Sequence, residues 1–253
     1  MHMKFCSSLE LAGYSWKQYI LSPIQLGIPN NRKRFYMICE KSSRFSRENA
    51  LDYVHLHHSE PGNPGSNIGH RIDTMHYTTS GPSKVADKNA HSTVQLDAAD
   101  ADVCPVQIRL LGEFLLPLSP EEIEVLTLPL SLLERGFAKG LSVVSKYDQT
   151  TFCFTSGYGK VFHKSSGSLY LSNCDHSLTA YPLDRSDMRA YYPHLRLFSP
   201  RELLLLFGFP AHISLPEDLS LLQKYRLIGN SISISVTTFL LKLLFEPYRE
   251  LCH

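Results

Sequence analysis

The chain has 253 residues, 43% hydrophobic, 19% charged and 11% aromatic, with 25 Lys+Arg against 24 Asp+Glu for a formal net charge of +1. This is the composition of one or two folded domains with a sizeable core. It excludes a uniformly basic chain while leaving room for a local basic patch. Six cysteines stand far apart with no Cys-x-x-Cys pair, which argues against a zinc ribbon or a disulfide-dense secreted scaffold and for reduced thiols in the cytosol or nucleus.

Taken in chain order, Ser8 to Ala12 reads as the end of a helix closed by Gly13. Trp16 to Leu21 and Phe35 to Cys39 are rich in strand formers, with a turn-rich stretch from Ser22 to Arg34 between them, so an antiparallel pair is expected. Residues 59–101 differ in kind. Only seven of these 43 residues are large and apolar, and Pro and Gly cluster there. Such a segment buries too little apolar surface to offset its ordering entropy, which predicts a disordered insert. Ser119-Pro-Glu-Glu122 has capping-box spacing with Pro at the first helical position, and Ser131 to Glu134 reads as the cap of a second short helix.

Residues 142–195 read as irregular, with short β-prone runs. Ser199-Pro-Arg-Glu202 repeats the capping box and opens a Leu-rich helix that ends at Gly208, with Pro210 just beyond. Leu219 to Leu227 reads as another short helix. Ile232, Val236, Leu240 and Leu244 then share one face of a terminal amphipathic helix preceded by Gly229-Asn230. The most apolar runs, Leu203 to Phe209 and Phe239 to Phe245, are far shorter than the roughly 20 residues of a spanning helix, so no transmembrane span is expected. Met1 to Ser8 has no apolar centre typical of a signal peptide.

Three blocks can carry chemistry. Gln25-Leu-Gly27-Ile-Pro29-Asn30-Asn31-Arg32-Lys33-Arg34 puts two arginines two apart at the entry to a strand, on one side of it, where their planar donor forks can grip a phosphate or a flipped base. A bare Arg-x-Arg is more often a solvated basic turn; the Gln, Gly and Pro offsets make this one more specific. Arg196-Leu-Phe198-Ser199-Pro200-Arg201-Glu202, with Gly208-Phe209-Pro210, reads mainly as a structural helix with defined ends, although Arg196 and Arg201 can reach a nucleic-acid backbone. Tyr225-Arg226-Leu-Ile-Gly229-Asn230-Ser231 puts small polar residues at a helix start, where free N–H groups can bind a carboxylate or ribose; Asn230 alone can equally be an N-cap.

In this order, these blocks resemble the last three signature blocks of cytosine-C5 methyltransferases. Cys153-Phe154-Thr155 followed by Gly157-Tyr158-Gly159 is similar to the Cys-Phe-Thr signature of the small eukaryotic members, the DNA methyltransferase homologue 2 subfamily, whose substrate is tRNA-Asp. Leu21-Ser-Pro23 and Leu128 to Leu133 also fit that subfamily. The resemblance implies an α/β fold, the C-terminal portion of a class I, Rossmann-like S-adenosylmethionine-dependent methyltransferase, with an irregular target-recognition subdomain. It implies that Arg32 and Arg34 line the active site against the target cytosine. Gly229, Asn230 and Ser231 would close over S-adenosylmethionine, and Cys153, Phe154, Thr155, Gly157 and Tyr158 would belong to target recognition. No metal is implied.

The resemblance also implies parts that this sequence does not hold. The family reaction needs a cysteine thiolate that adds to C6 of cytosine, from a Pro-Pro-Cys loop. It also needs a glutamate at N3, from Glu-Asn-Val, and a Phe-x-Gly-x-Gly-Gly cofactor turn, all before the Arg-x-Arg block. Here that block starts at residue 25, which leaves too little chain for a βαβ unit of about 30 residues. Cys104-Pro105 has the wrong order, Glu48-Asn49-Ala50 follows Arg34 instead of preceding it, and Cys153 belongs to the recognition block.

The expected organisation is 1–45 as the end of the methyltransferase sheet, 46–118 as a variable segment, 119–195 as the target-recognition region, and 196–253 as helices returning to the core. The expected function is the C-terminal part of a tRNA (or DNA) cytosine-C5 methyltransferase, inactive alone, in the cytoplasm or nucleus. The first form this takes is an incomplete gene model or truncated isoform of such an enzyme; alternatives are half of a split enzyme whose N-terminal catalytic half acts in trans, or a non-catalytic RNA-binding or regulatory module.

Overall fold

The computed structural model describes residues 2–41, 106–162 and 166–249. The expected insert at 59–101, Glu48 and Cys104 lie outside the described residues. The chain divides into two compact units, 1–20 with 36–106, and 21–35 with 107–253.

In the first unit, α1 (His2–Leu11) is longer at its N-terminal end than the sequence reading. Gly13 ends it at φ +78°, in the left-handed region open to glycine. The Gly13 and Tyr14 N–H groups donate back to the carbonyls of Glu10 and Leu9, at 3.0 and 2.9 Å, which satisfies the end of the helix. β1 (Ser15–Leu21) and β2 (Arg34–Glu40) form a two-stranded sheet, each slightly longer than its strand-prone run. The Ser15 hydroxyl donates to the Glu40 carbonyl at 3.3 Å, and the Gln18 amide donates to Cys6 Sγ at 3.4 Å.

The second unit holds the main core. α2 (Pro120–Leu126) starts at a complete capping box: Ser119 Oγ accepts from the Glu122 N–H at 3.2 Å, and the Glu122 carboxylate accepts from the Ser119 N–H at 2.8 Å. α3 (Leu130–Leu133) follows Pro129 directly, so Ser131 lies inside the helix rather than capping it. Pro129 itself occupies the cap position, with φ −66° and ψ 142°, and no side chain caps this helix. β3 (Val143–Val144), β4 (Leu169–Leu171) and β5 (Leu195–Arg196) form a small mixed sheet with β4 in the centre, parallel to β3 and antiparallel to β5. The other described residues of 142–195 are mostly turns and irregular backbone, as the composition predicts.

α4 (Pro200–Leu206) starts at the second capping box, and α5 (Leu221–Asn230) at a third, Ser220 with Gln223. α6 (Ile234–Arg249) follows a short break. Two readings need correction here. Gly229 and Asn230 end α5 rather than opening a helix. Ile232 lies in the break and is 54% exposed, while Val236 and Leu240 are buried on the inner face of α6. A third correction concerns length. Leu221 to Phe245 is, by length and composition, apolar enough to cross a membrane, a stretch missed when Phe239 to Phe245 is read in isolation. The break at 231–233 divides it into two helices.

α4 is fixed by a buried ion pair. The Arg196 guanidinium donates both ends of its fork to the Glu202 carboxylate, at 2.9 and 2.8 Å, and Glu202 also accepts from the Ser199 and Leu116 N–H groups. Arg196 is 6% exposed and Glu202 fully buried, so Arg196 is not available to a nucleic-acid backbone; Arg201 is exposed. Against this pair sits an edge-to-face aromatic cluster: Phe154 with Tyr158 at 5.1 Å, Phe154 with Phe198 at 5.4 Å, and Tyr158 with Tyr225 at 4.9 Å. Replacing Glu202 by Gln strands a buried cation. Urea unfolding should then show a loss of about 3–5 kcal/mol, the usual range for removing one partner of a buried pair. The same change at Glu122, an exposed capping box, should cost no more than about 1 kcal/mol.

Candidate functional site

The segment 21–35 enters the second unit through a set of local bonds. Gln25 Oε1 accepts from the Ser22 N–H at 2.7 Å, and Ser22 Oγ accepts from the Arg32 N–H at 2.9 Å. The Thr151 hydroxyl donates to the Pro29 carbonyl at 2.8 Å, and the Asn31 N–H donates to the Thr151 carbonyl at 3.1 Å. Asn30, fully buried, donates its amide to the Leu206 carbonyl at 3.0 Å. The Gln and Pro offsets seen in the sequence are therefore the fastenings of this loop.

These fastenings aim Arg32 inward. Its guanidinium donates to the carbonyls of Phe154 at 2.8 Å, Gly229 at 3.0 Å and Ser231 at 2.9 Å, and it stands 4.9 Å over the Phe207 ring. Arg32 is 6% exposed. Arg34 opens β2 and is exposed, with its Nη1 on the Lys33 carbonyl at 2.8 Å. The expectation that both arginines project alike from a strand fails, because Arg32 precedes the strand and is folded into the interior. The two still share one neighbour: Cys153 Sγ lies 3.6 Å from Arg32 Nη1 and 3.5 Å from Arg34 Nη2.

The recognition block splits the same way. Phe154 and Tyr158 are 1% and 2% exposed, so neither side chain can touch a ligand, and any part they take in recognition is through positioning. The Tyr158 hydroxyl donates to the Ser168 carbonyl at 2.8 Å and accepts from the Phe198 N–H at 2.9 Å; burial drives its pKa far above the usual tyrosine range. Thr155 and Gly157 are half-buried on the turn that follows Cys153.

Gly229 packs its α-carbon against the backbone of that turn. A Cβ there would overlap the Thr155 carbonyl and the Ser156 nitrogen. The glycine is therefore a close-approach residue, a role that its place in the sequence does not reveal. The Ser231 hydroxyl donates to the Ile228 carbonyl at 2.7 Å. With the Gly229 and Ser231 carbonyls held by Arg32, the exposed Asn230 amide is the one side chain of the three free to meet a ligand among the described residues. The three residues thus fit S-adenosylmethionine only as an edge contact, not as a cradle. Among the described residues no group of three or more His, Cys, Asp or Glu could hold a metal ion. The sequence reading also missed Ser22 and Phe207, the hydroxyl and ring that position Arg32; Leu21-Ser-Pro23 carried the first signal as part of the family match.

Two substitutions separate framework from surface here. Arg32→Lys replaces a planar fork by a point charge and loses at least one of three charge-assisted bonds, so equilibrium unfolding should show a loss of about 2–4 kcal/mol. Arg34→Ala should change stability by no more than about 0.5 kcal/mol. Gly229→Ala should cost at least about 2 kcal/mol in the same measurement, because the clash is with backbone that cannot rotate away.

A family model, C-5 cytosine-specific DNA methylase, matches residues 119–246. Among curated proteins, the chain is 26% identical to the Homo sapiens tRNA (cytosine(38)-C(5))-methyltransferase, over 94% of this chain and 66% of that protein. It is 28% identical to the Mus musculus protein of the same name, over 97% and 64%. It is also 28% identical to a Dictyostelium discoideum DNA (cytosine-5)-methyltransferase, over 94% and 59%. Among solved structures it resembles the Schizosaccharomyces pombe Dnmt2 methyltransferase, with a TM-score of 0.65 and 23% identity over 98% of this chain and 63% of that one. It also resembles the Entamoeba histolytica methyltransferase EhMeth, with a TM-score of 0.63 and 21% identity over 98% and 58%. The chain thus spans about two thirds or less of the length of these relatives, and the shared fold is the α/β methyltransferase fold, covered in part. With a family model matched over half of its length, the chain belongs to the C-5 cytosine-specific DNA methylase family.

Proposed function

We propose that this chain is the target-recognition and closing part of an S-adenosylmethionine-dependent cytosine-C5 methyltransferase whose substrate is tRNA. The observation that carries this reading is that Arg32, of the Arg-x-Arg block, holds the Cys-Phe-Thr block at Phe154 and the Gly-Asn-Ser block at Gly229 and Ser231, with exposed Arg34 and half-buried Cys153 beside them. In this reading Arg34 is the arginine that touches the target nucleotide, because its guanidinium is exposed. Arg32 is a positioning residue. S-adenosylmethionine, when bound, supplies the methyl group, and Asn230 lies at the edge of its site. The names of several relatives and the Cys153-Phe154-Thr155 block favour tRNA over DNA. A cytosolic or nuclear location goes with that substrate.

The 253 residues hold no Pro-Pro-Cys and no Phe-x-Gly-x-Gly-Gly. A methylation that proceeds through a thiolate adduct at C6 has no pathway without that thiolate. We therefore propose that these 253 residues do not methylate by themselves, the nucleophile and the cofactor turn belonging to the N-terminal part of the enzyme, on the same polypeptide or on another.

The test is to incubate the purified chain with a tRNA-Asp transcript and labelled S-adenosylmethionine, and to titrate the same RNA and a DNA duplex at several salt concentrations. Binding to tRNA that weakens linearly in log–log salt and exceeds binding to the duplex is expected, with no label transferred. Label on C5 from the chain alone would overturn the incompleteness, and absence of tRNA binding at low salt would overturn the substrate reading.

A further inference from the structure

Beside the arginine site lies a cavity of about 280 Å³ whose wall includes Asn31, Thr150, Phe152, Thr179 and Arg185. Phe152 is one residue from Cys153 and therefore from the sulfur that both arginines approach. Its ring is 56% exposed, while Phe154, two residues on, is 1% exposed. An exposed ring at the edge of a cavity offers a face on which a nucleobase can stack. Its backbone is nevertheless held firmly: the Phe152 N–H donates to Ser168 Oγ at 2.8 Å, and the residue before it is tied to Pro29. The ring is thus presented on fixed main chain, so little ordering is needed when something stacks on it.

The rest of the wall suits a nucleotide. The hydroxyls of Thr150 and Thr179 and the amide of Asn31 form no hydrogen bond with the described residues, so donors and acceptors remain for the edge of a base. Arg185 is held by one nitrogen, Nη1, which donates to the carbonyls of Lys139 at 2.8 Å and Leu141 at 2.7 Å; its other N–H groups have no partner among the described residues. The wall carries no Asp or Glu, so nothing in it repels a phosphate. The volume falls just below the ~300–1,000 Å³ of pockets for drug-sized ligands, which suits a single base.

We propose that this cavity is a second base-binding site, which takes one unstacked nucleobase flanking the target cytosine, stacked on Phe152, with its edge on Thr150 and Asn31 and its phosphate toward Arg185. The inference rests on the nucleic-acid reading above and adds to it a position at which the chain reads sequence context. The stacking surface is Phe152, which lies within the 119–195 region but is not one of the recognition residues that the family resemblance names.

The experiment uses the full chain and a set of tRNA-Asp anticodon stem-loops, each with 2-aminopurine at one loop position. One position should change fluorescence on binding. That change should disappear in Phe152→Ala and Phe152→Leu and persist in Phe152→Trp, with affinity reduced about 5- to 150-fold in the first two, the range of a lost base–aromatic stack. Unchanged thermal melting of the Leu variant separates loss of the ring from loss of the fold. A single-stranded DNA loop of the same sequence that responds at the same position would assign the site to the base whatever its sugar, which also supports it. Tight RNA binding indifferent to Phe152, with no responsive position, would overturn the site and leave the tRNA reading standing. No binding of any stem-loop by the wild-type chain would overturn both.

Discussion

One guanidinium holds the second unit's functional region together. Arg32 takes carbonyls from residues 122, 197 and 199 positions further along the chain. A planar fork with five N–H groups is the one side chain that can satisfy three converging carbonyls and keep its charge inside a protein. The arrangement works in both directions. The last carbonyls of α5 have no partner within the helix and form its partially negative end, and a buried cation meets that need. The cation, in turn, would be very costly to bury without them. The 21–35 loop, the turn after Cys153 and the end of α5 are therefore mutually conditional.

That condition dictates other details. α5 must stop where Arg32 reads it, and Ser231 leaves the helix with an extended backbone, φ −78° and ψ 175°. The helix must also approach the recognition turn closely enough for one fork to reach both, which only a residue without a side chain at 229 permits. The turn itself is backed by aromatic packing. Tyr158 and Tyr225 use their hydroxyls to satisfy the N–H and carbonyl of Phe198, at 2.9 and 2.7 Å, at the entrance to α4. Burial pushes both hydroxyls far above the normal tyrosine pKa, so they remain neutral donors throughout the physiological range. The Arg196–Glu202 pair then fixes α4. Two buried arginines, Arg32 and Arg196, are thus structural, and Arg34 is the exposed member of the Arg-x-Arg pair.

The local signals in the sequence were dependable where the physics is local. Ser119 with Glu122 and Ser199 with Glu202 cap helices as their spacing dictates, because a capping box involves four consecutive residues and no others. Ser220 with Gln223 makes the same box and could have been read from the same spacing, which would have moved the start of α5 to Leu221. Gly229-Asn230 misled because a Gly-Asn-Ser run is compatible with either end of a helix. What decided it was Arg32, nearly 200 residues away in sequence, which needs the free carbonyls of a C-terminus.

The sequence by itself determined the family, the helix starts, the strand pair and the identity of the residues that would gather at the site. These depend on residue type and on spacing over short distances. Only the tertiary structure decided which of those residues face a ligand. Arg32 and Arg34 are chemically identical and two positions apart, and Phe152 and Phe154 likewise. In each pair one member is buried and the other exposed, because burial is set by what packs against the segment and no window of neighbouring residues contains that information.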